Sequence, residues 1–98
     1  MERIERIGRY ETTLDELTAA EAALGEALER FAALRPAVRE LEAYYTGEDW
    51  RQDLAADEAG LLPAGLKRGV LSEDGVWNAL EEERALLRRM LELVGEYV

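Results

Sequence analysis

The 98-residue chain contains no cysteine and no histidine, and its only lysine is Lys67. The absence of cysteine excludes disulfides, thiolate nucleophiles and zinc sites built on cysteine. The absence of histidine removes the commonest metal ligand, the usual general base at neutral pH and the histidine of a serine triad. The composition therefore leans against an enzyme and implies no cofactor.

Aromatic residues are also scarce, at 7% of the chain, with one phenylalanine and two tryptophans. Hydrophobic residues nevertheless make up 48%, and most of them are alanine and leucine, which favour helices over strands. A chain of this length and apolar content is long enough for one folded domain. We therefore expect a single all-α domain that spans residues 1–98.

Positive charge is in short supply, because 22 acidic residues face 12 basic ones and the net charge is −10. Such a surface repels the phosphates of nucleic acid and anionic lipid headgroups. No apolar run approaches the ~18 residues that a membrane span needs. The segment from Met1 to Arg6 is charged and has no apolar signal region. The sequence thus predicts a cytoplasmic protein with neither nucleic acid nor membrane as a partner.

A long first helix is predicted from Glu2 onwards, because apolar residues recur at three-four spacing. Its continuous stripe consists of Leu17, Ala20, Leu24, Ala27, Phe31, Leu34, Val38, Leu41 and Tyr45. Pro36 removes a backbone donor within that stripe, so we expect a bend there followed by a second short helix. Gly47 is expected to end this helix as a left-handed stop.

Two further helices are predicted, a short one over residues 48–58 and a last one that runs to about Glu96 with Ser72 as its N-cap. The segment 60–71 between them is irregular but rich in leucine, so it is expected to pack on the helices. The predicted fold is an antiparallel bundle of three to four helices. The first helix is longer than the last, so apolar residues near Ile4 and Tyr10 need cover from the middle segment or from a second copy of the chain.

Three segments resemble a known bacterial family, the domain of unknown function 4298: MERIERI, LEAYYTGEDWRQDLAADEAGLLP and LKRGVLSEDGVWNAL. The resemblance implies a short helical protein and carries no established activity and no catalytic residue. It also implies that the following residues occupy characteristic family positions: Tyr44, Tyr45, Trp50, Asp53, Pro63, Lys67, Arg68, Gly69, Ser72, Glu73 and Asp74. Gly8, Gly25 and Gly75 depart from this pattern, because a better helix former is expected at each.

Three kinds of site are considered. Asp49, Asp53 and Asp57 lie four residues apart on one helix face, which suits a hard cation such as Mg²⁺ or Mn²⁺ or, alternatively, a solvated acidic face. Lys67 and Arg68 precede a helix start and suit either an anion or an ordinary capped helix. The aromatic residues Tyr44, Tyr45, Trp50 and Trp77 suit either a pocket or the core.

The leading functional hypothesis is a non-enzymatic interaction or regulatory protein that presents a helical surface to an unknown protein partner. A homodimer through the first helix is a possible form of it. Its candidate partner-facing residues are Tyr44, Tyr45, Trp50, Asp53, Lys67, Arg68, Ser72 and Asp74, since irregular segments on a rigid scaffold tend to carry function. Two alternatives stay open: a small carboxylate-based metal protein or enzyme, and an acidic mimic that binds a basic protein.

Overall fold

The computed structural model describes residues 2–98. It contains three α-helices, α1 (Arg3–Tyr45), α2 (Glu48–Glu58) and α3 (Gly75–Tyr97), and one 3-10 helix over Gly69–Leu71. No strand occurs within residues 2–98, so the predicted all-α class is confirmed. The antiparallel bundle, which concerns how the helices pack together, stays a prediction. The chain divides into two units, the first ending at Val38 and the second covering Arg39–Val98.

The first unit consists of the part of α1 that ends at Val38. The carboxylate of Glu2 accepts the backbone N–H groups of Ile4 and Glu5, at 2.9 and 3.2 Å, and so caps the start of the helix. A single helix has no other element of its own unit to pack against. Consequently most of the apolar stripe in this unit lies exposed.

The prediction of two helices around Pro36 is wrong, because Pro36 lies inside α1 and the helix continues to Tyr45. The proline lacks the N–H that would bond to the carbonyl of Ala32, but it removes only that bond from the ladder. Alanine, leucine, arginine and glutamate dominate the turns on both sides, and these residues favour helix strongly. The apolar spacing also keeps its phase across the proline, so the same face continues.

The second unit is organised around the 3-10 helix, which contacts both α2 and α3. Leu71 at the end of this 3-10 helix and Val76 in the first turn of α3 are the two buried side chains among the described residues, at 8% and 3% exposure. The apolar segment before α3 therefore packs on the helices in part. Leu62 is half-buried, whereas Leu61 and Leu66 are exposed.

Glycines shape both ends of α2. Gly60, with a φ of +72°, lies beyond the C-cap, and its N–H and that of Leu61 bond to the carbonyls of Asp57 and Ala56. This pairing satisfies two carbonyls of the last turn and needs the left-handed backbone that glycine adopts freely. The expected left-handed stop at Gly47 is wrong. Gly47 has a φ of −104° and precedes α2 as its N-cap.

No helix within residues 2–98 is both long enough and apolar enough to cross a membrane. The 43-residue α1 has sufficient length, but charged residues recur along it and interrupt every apolar stretch.

Candidate functional site

Trp50 on α2 holds together distant parts of the second unit. Its indole N–H donates to the carbonyl of Val70 at 2.9 Å, which ties α2 to the 3-10 helix. Its ring meets that of Tyr45 edge to face, with centroids 5.2 Å apart and planes at 70°. Edge-to-face pairs of this kind stabilise by about 1 kcal/mol beyond the area that they bury. Tyr45 and Trp50 thus have internal partners, whereas Trp77 is 54% exposed.

Tyr44 and Asp53 form a second tie, between the end of α1 and the middle of α2. The tyrosine hydroxyl donates to Oδ2 of Asp53 at 2.7 Å. This hydrogen bond raises the pKa of Tyr44 above its ordinary value of 10.0, and desolvation and the negative charges of Asp53 and Asp49 add to the rise. At neutral pH the hydroxyl is therefore protonated and acts as a hydrogen-bond donor.

The Tyr44 bond predicts a pH-dependent stability. A pKa that is raised in the folded state stabilises that state below pH 10 and ceases to do so as the pH rises through the raised value. Tyr44→Phe should therefore lower the urea midpoint at pH 7, and this deficit relative to the wild type should shrink as the pH rises above 10 and through the raised pKa. Tyr97→Phe is the matched control, because Tyr97 is exposed. This substitution should leave the urea midpoint unchanged. A Tyr44→Phe deficit that persists unchanged at high pH would contradict the assignment.

Arg68 fixes the turn between α2 and the 3-10 helix. Its guanidinium forms an ion pair with the carboxylate of Asp57 and donates to the carbonyls of Pro63 at 2.6 Å and Leu66 at 3.4 Å. Both charged side chains are partly buried, at 34% and 21% exposure. Because a planar guanidinium can satisfy several acceptors at once, this one side chain orders the whole irregular segment.

Ser72 links the 3-10 helix to the start of α3. Its hydroxyl donates to the carbonyl of Gly69 at 2.7 Å and accepts the N–H of Gly75 at 3.0 Å. The prediction of Ser72 as N-cap is wrong in register, because α3 begins at Gly75 with Asp74 as its cap. The hydroxyl still satisfies an amide of the first turn, as an N-cap side chain does.

Gly75 was expected to be a weak point, but the structure requires a glycine at this position. A Cβ there would lie 2.5 Å from Oγ of Ser72 and 2.6 Å from the carbonyl oxygen of Gly69. The 3-10 helix can approach α3 this closely only because residue 75 has no side chain. By contrast, a Cβ at Gly8 or Gly25 would meet nothing within 4 Å.

The three aspartates of the proposed metal face do not converge. Asp53 accepts the Tyr44 hydroxyl and Asp57 pairs with Arg68. Across residues 2–98 no group of three acidic residues is placed to hold a metal ion. The contacts therefore give Asp53 and Asp57 structural partners and assign no ligand role to Asp49.

Two shallow grooves border the 3-10 helix. One of 430 Å³ is lined mainly by apolar or glycine positions, with Lys67 among them: Leu41, Lys67, Gly69, Val70, Gly75, Val76 and Ala79. The other, of 260 Å³, lies beside Tyr44, Asp53 and Arg68. Within the described part of the chain, Lys67 has neither a hydrogen-bond nor an ion-pair partner.

Most of the candidate partner-facing residues thus have internal roles. Tyr44, Tyr45, Trp50, Asp53, Arg68 and Ser72 all contact other parts of the second unit. Lys67 and Asp74 are exposed. The role of all eight residues in binding a partner stays a prediction.

The exposed apolar face of α1 is a further candidate site, on the helix for which the sequence predicts uncovered apolar residues near Ile4 and Tyr10. In the first unit Leu14, Leu17, Leu24 and Leu28 are 54%, 55%, 58% and 45% exposed. Contiguous apolar surface of this kind is typical of protein interaction sites. The three-four spacing signalled the face, but spacing alone could not distinguish a covered stripe from an exposed one.

The fold and contacts define the class of protein: a small all-helical chain whose polar clusters serve mainly to hold local structure. Comparison with known families goes one step further. The family described as "Domain of unknown function (DUF4298)" matches residues 7–93, and the chain belongs to that family. This confirms the resemblance noted in the sequence. No curated protein and no solved structure matches the chain.

Proposed function

We propose that this protein is a non-enzymatic, cytoplasmic interaction or regulatory module that presents a helical surface to a protein partner. The observation that carries the proposal is the exposed apolar face of α1 in the first unit, which we call the α1 face and define as Ile7, Tyr10, Leu14, Leu17, Leu24, Leu28 and Phe31. Six of these seven side chains are 45% or more exposed, and Phe31 is half-buried.

The energetics support a docking role for the α1 face. Fully burying an exposed leucine stabilises a complex by roughly 1.5–3 kcal/mol, and the leucines of the α1 face, at 45–58% exposure, have about half of that to gain. Four such leucines on one face therefore provide a strong driving force for a partner helix to lie along it. The occupant can be another protein, a second copy of the chain or, if the predicted bundle forms, another helix of the same chain.

The alternatives have less support. No cluster of acidic residues within residues 2–98 favours the metal-binding protein or carboxylate enzyme. The acidic mimic is motivated by the net charge of −10, which does not by itself select a binding surface. Neither alternative accounts for the exposed leucines.

Affinity capture with matched variants tests the proposal. Leu17→Gln/Leu24→Gln removes apolar surface from the α1 face and keeps helix propensity and charge. Ala19→Gln/Ala33→Gln is the control, at exposed positions on the opposite side of the helix. The tagged wild type and the control should retain the same stoichiometric protein from a lysate of the source organism, and the leucine variant should lose most of it. Equal recovery by all three proteins would contradict the proposal.

A further inference from the structure

We infer that the partner of the α1 face is a basic amphipathic helix of another protein. The inference rests on the proposed function and adds the chemistry of the occupant. It follows from the spacing of the α1 face, from the residues beside it and from one acidic residue within it.

The α1 face has the seven-residue period of a helix-to-helix seam. Its seven residues occupy seven of the eight a and d positions of four consecutive heptads, and Glu21 occupies the eighth: Ile7 and Tyr10, Leu14 and Leu17, Glu21 and Leu24, Leu28 and Phe31. An apolar a/d pattern sustained over four heptads is typical of a helix that packs along a second helix. The occupant is accordingly a helix, and its own apolar residues follow the same period.

The stretch that carries this seam is acidic, and the positions that border the seam directly are small apart from Glu11. Between Arg9 and Arg30 the chain has six acidic residues and no basic one: Glu11, Asp15, Glu16, Glu21, Glu26 and Glu29. The g positions that border the seam over this stretch are Thr13, Ala20 and Ala27, and the e positions after Glu11 are Thr18 and Gly25. Small flanking residues leave room for long lysine and arginine stems, whose charged ends can reach the nearby carboxylates.

Glu21 occupies an a position, inside the seam itself. A carboxylate buried between two helices is strongly unfavourable unless a cation pairs with it. A polar residue at a single a position selects the partner in helix pairs of this type. The partner helix therefore carries a lysine or arginine opposite Glu21.

A second copy of the chain fits this face less well. In a parallel pair each Glu21 faces the other, and in an antiparallel pair the residues around it are again drawn from the stretch that lacks basic residues. Either pairing leaves Glu21 without a cation. The homodimer through the first helix is for this reason an alternative outcome of the test.

Designed peptides test the inference directly. Two synthetic helical peptides of four heptads have leucine and isoleucine at the a and d positions apart from the one opposite Glu21. One peptide has lysine at that position and at e and g, and the other has glutamate at the same places. A third peptide has the composition of the lysine peptide in scrambled order. Binding to the full chain is measured by titration calorimetry at low and at physiological salt, because exposed charge contacts weaken as salt rises.

We expect the full chain to bind the lysine peptide at least about tenfold more tightly than either of the other two. Leu17→Gln/Leu24→Gln should weaken binding at least about tenfold, and Glu21→Lys should do the same. Ala19→Gln/Ala33→Gln should leave it unchanged. Equal binding of the lysine and scrambled peptides overturns the inference, as does preference for the glutamate peptide.

Light scattering on the wild type determines whether the chain is a monomer or a dimer in solution. A monomer supports the inference, and a dimer that Leu17→Gln/Leu24→Gln dissociates overturns it in favour of a second copy. Circular dichroism confirms that each variant keeps its helix content. Failure of this inference leaves the proposed function standing if affinity capture still retains a partner through the α1 face. If the peptide titration and the affinity capture both fail, the inference and the proposed function are both rejected.

Discussion

Replacing Trp50 by alanine should lower the free energy of unfolding by about 3 kcal/mol. The change removes the hydrogen bond to the Val70 carbonyl and the edge-to-face contact with Tyr45. These contacts connect α2 with the 3-10 helix and with the end of α1. Since few side chains in this unit are buried, little else replaces them. Urea unfolding followed by circular dichroism measures the loss.

Two other variants separate the causes of this effect. Trp50→Phe keeps an aromatic ring beside Tyr45 but has no hydrogen-bond donor. It should therefore lower the free energy of unfolding by about 1 kcal/mol. Trp77→Ala deletes the other tryptophan, which is 54% exposed, and should change stability by no more than about 0.5 kcal/mol. Equal losses from Trp50→Ala and Trp77→Ala would mean that Trp50 does not hold the unit together.

Gly75→Ala is the second change with a large expected effect, a destabilisation of about 2 kcal/mol. The added Cβ would overlap the Ser72 hydroxyl and the Gly69 carbonyl, at 2.5 and 2.6 Å. One of these neighbours is backbone, so the 3-10 helix must move away from α3. That movement also disturbs Leu71 and Val76, the two buried side chains among the described residues.

Gly95→Ala provides the matched control, because Gly95 lies in the same helix and a Cβ there meets nothing within 4 Å. At that position alanine should stabilise the protein by about 0.5–1 kcal/mol, since it restricts the unfolded chain and favours helix. Opposite signs for the two substitutions, measured in the same urea experiment, confirm the close approach at Gly75. A stabilising Gly75→Ala would contradict it.

The helices themselves were accessible from the sequence, because their signals are local. The predicted short helix over residues 48–58 coincides with α2, and the predicted last helix ends within a residue of α3. Pro36 misled the interpretation because one lost hydrogen bond does not outweigh good helix formers on both sides. The onset of α3 was misplaced because Ser72 resembles an N-cap although its hydroxyl bridges two elements.

The contacts within the second unit were not accessible from the sequence. Tyr44 meets Asp53 across the turn between α1 and α2, and Trp50 reaches a carbonyl 20 residues further along the chain. No periodicity encodes such pairs, because they depend on where the irregular segment folds back. Most of the acidic and aromatic residues that suggested a site form contacts within the second unit. The simple apolar spacing of α1 instead marks the face through which we propose that a partner binds.

The central claim, that the α1 face is where a partner binds, is tested most directly by photo-crosslinking in living cells of the source organism. A photo-reactive phenylalanine analogue is placed at Leu17, on the α1 face, or at Ala19, which lies on the opposite side of the helix. Our account predicts a discrete crosslinked product with one other protein from position 17 and none from position 19. No product from position 17, or the same products from both positions, would contradict it.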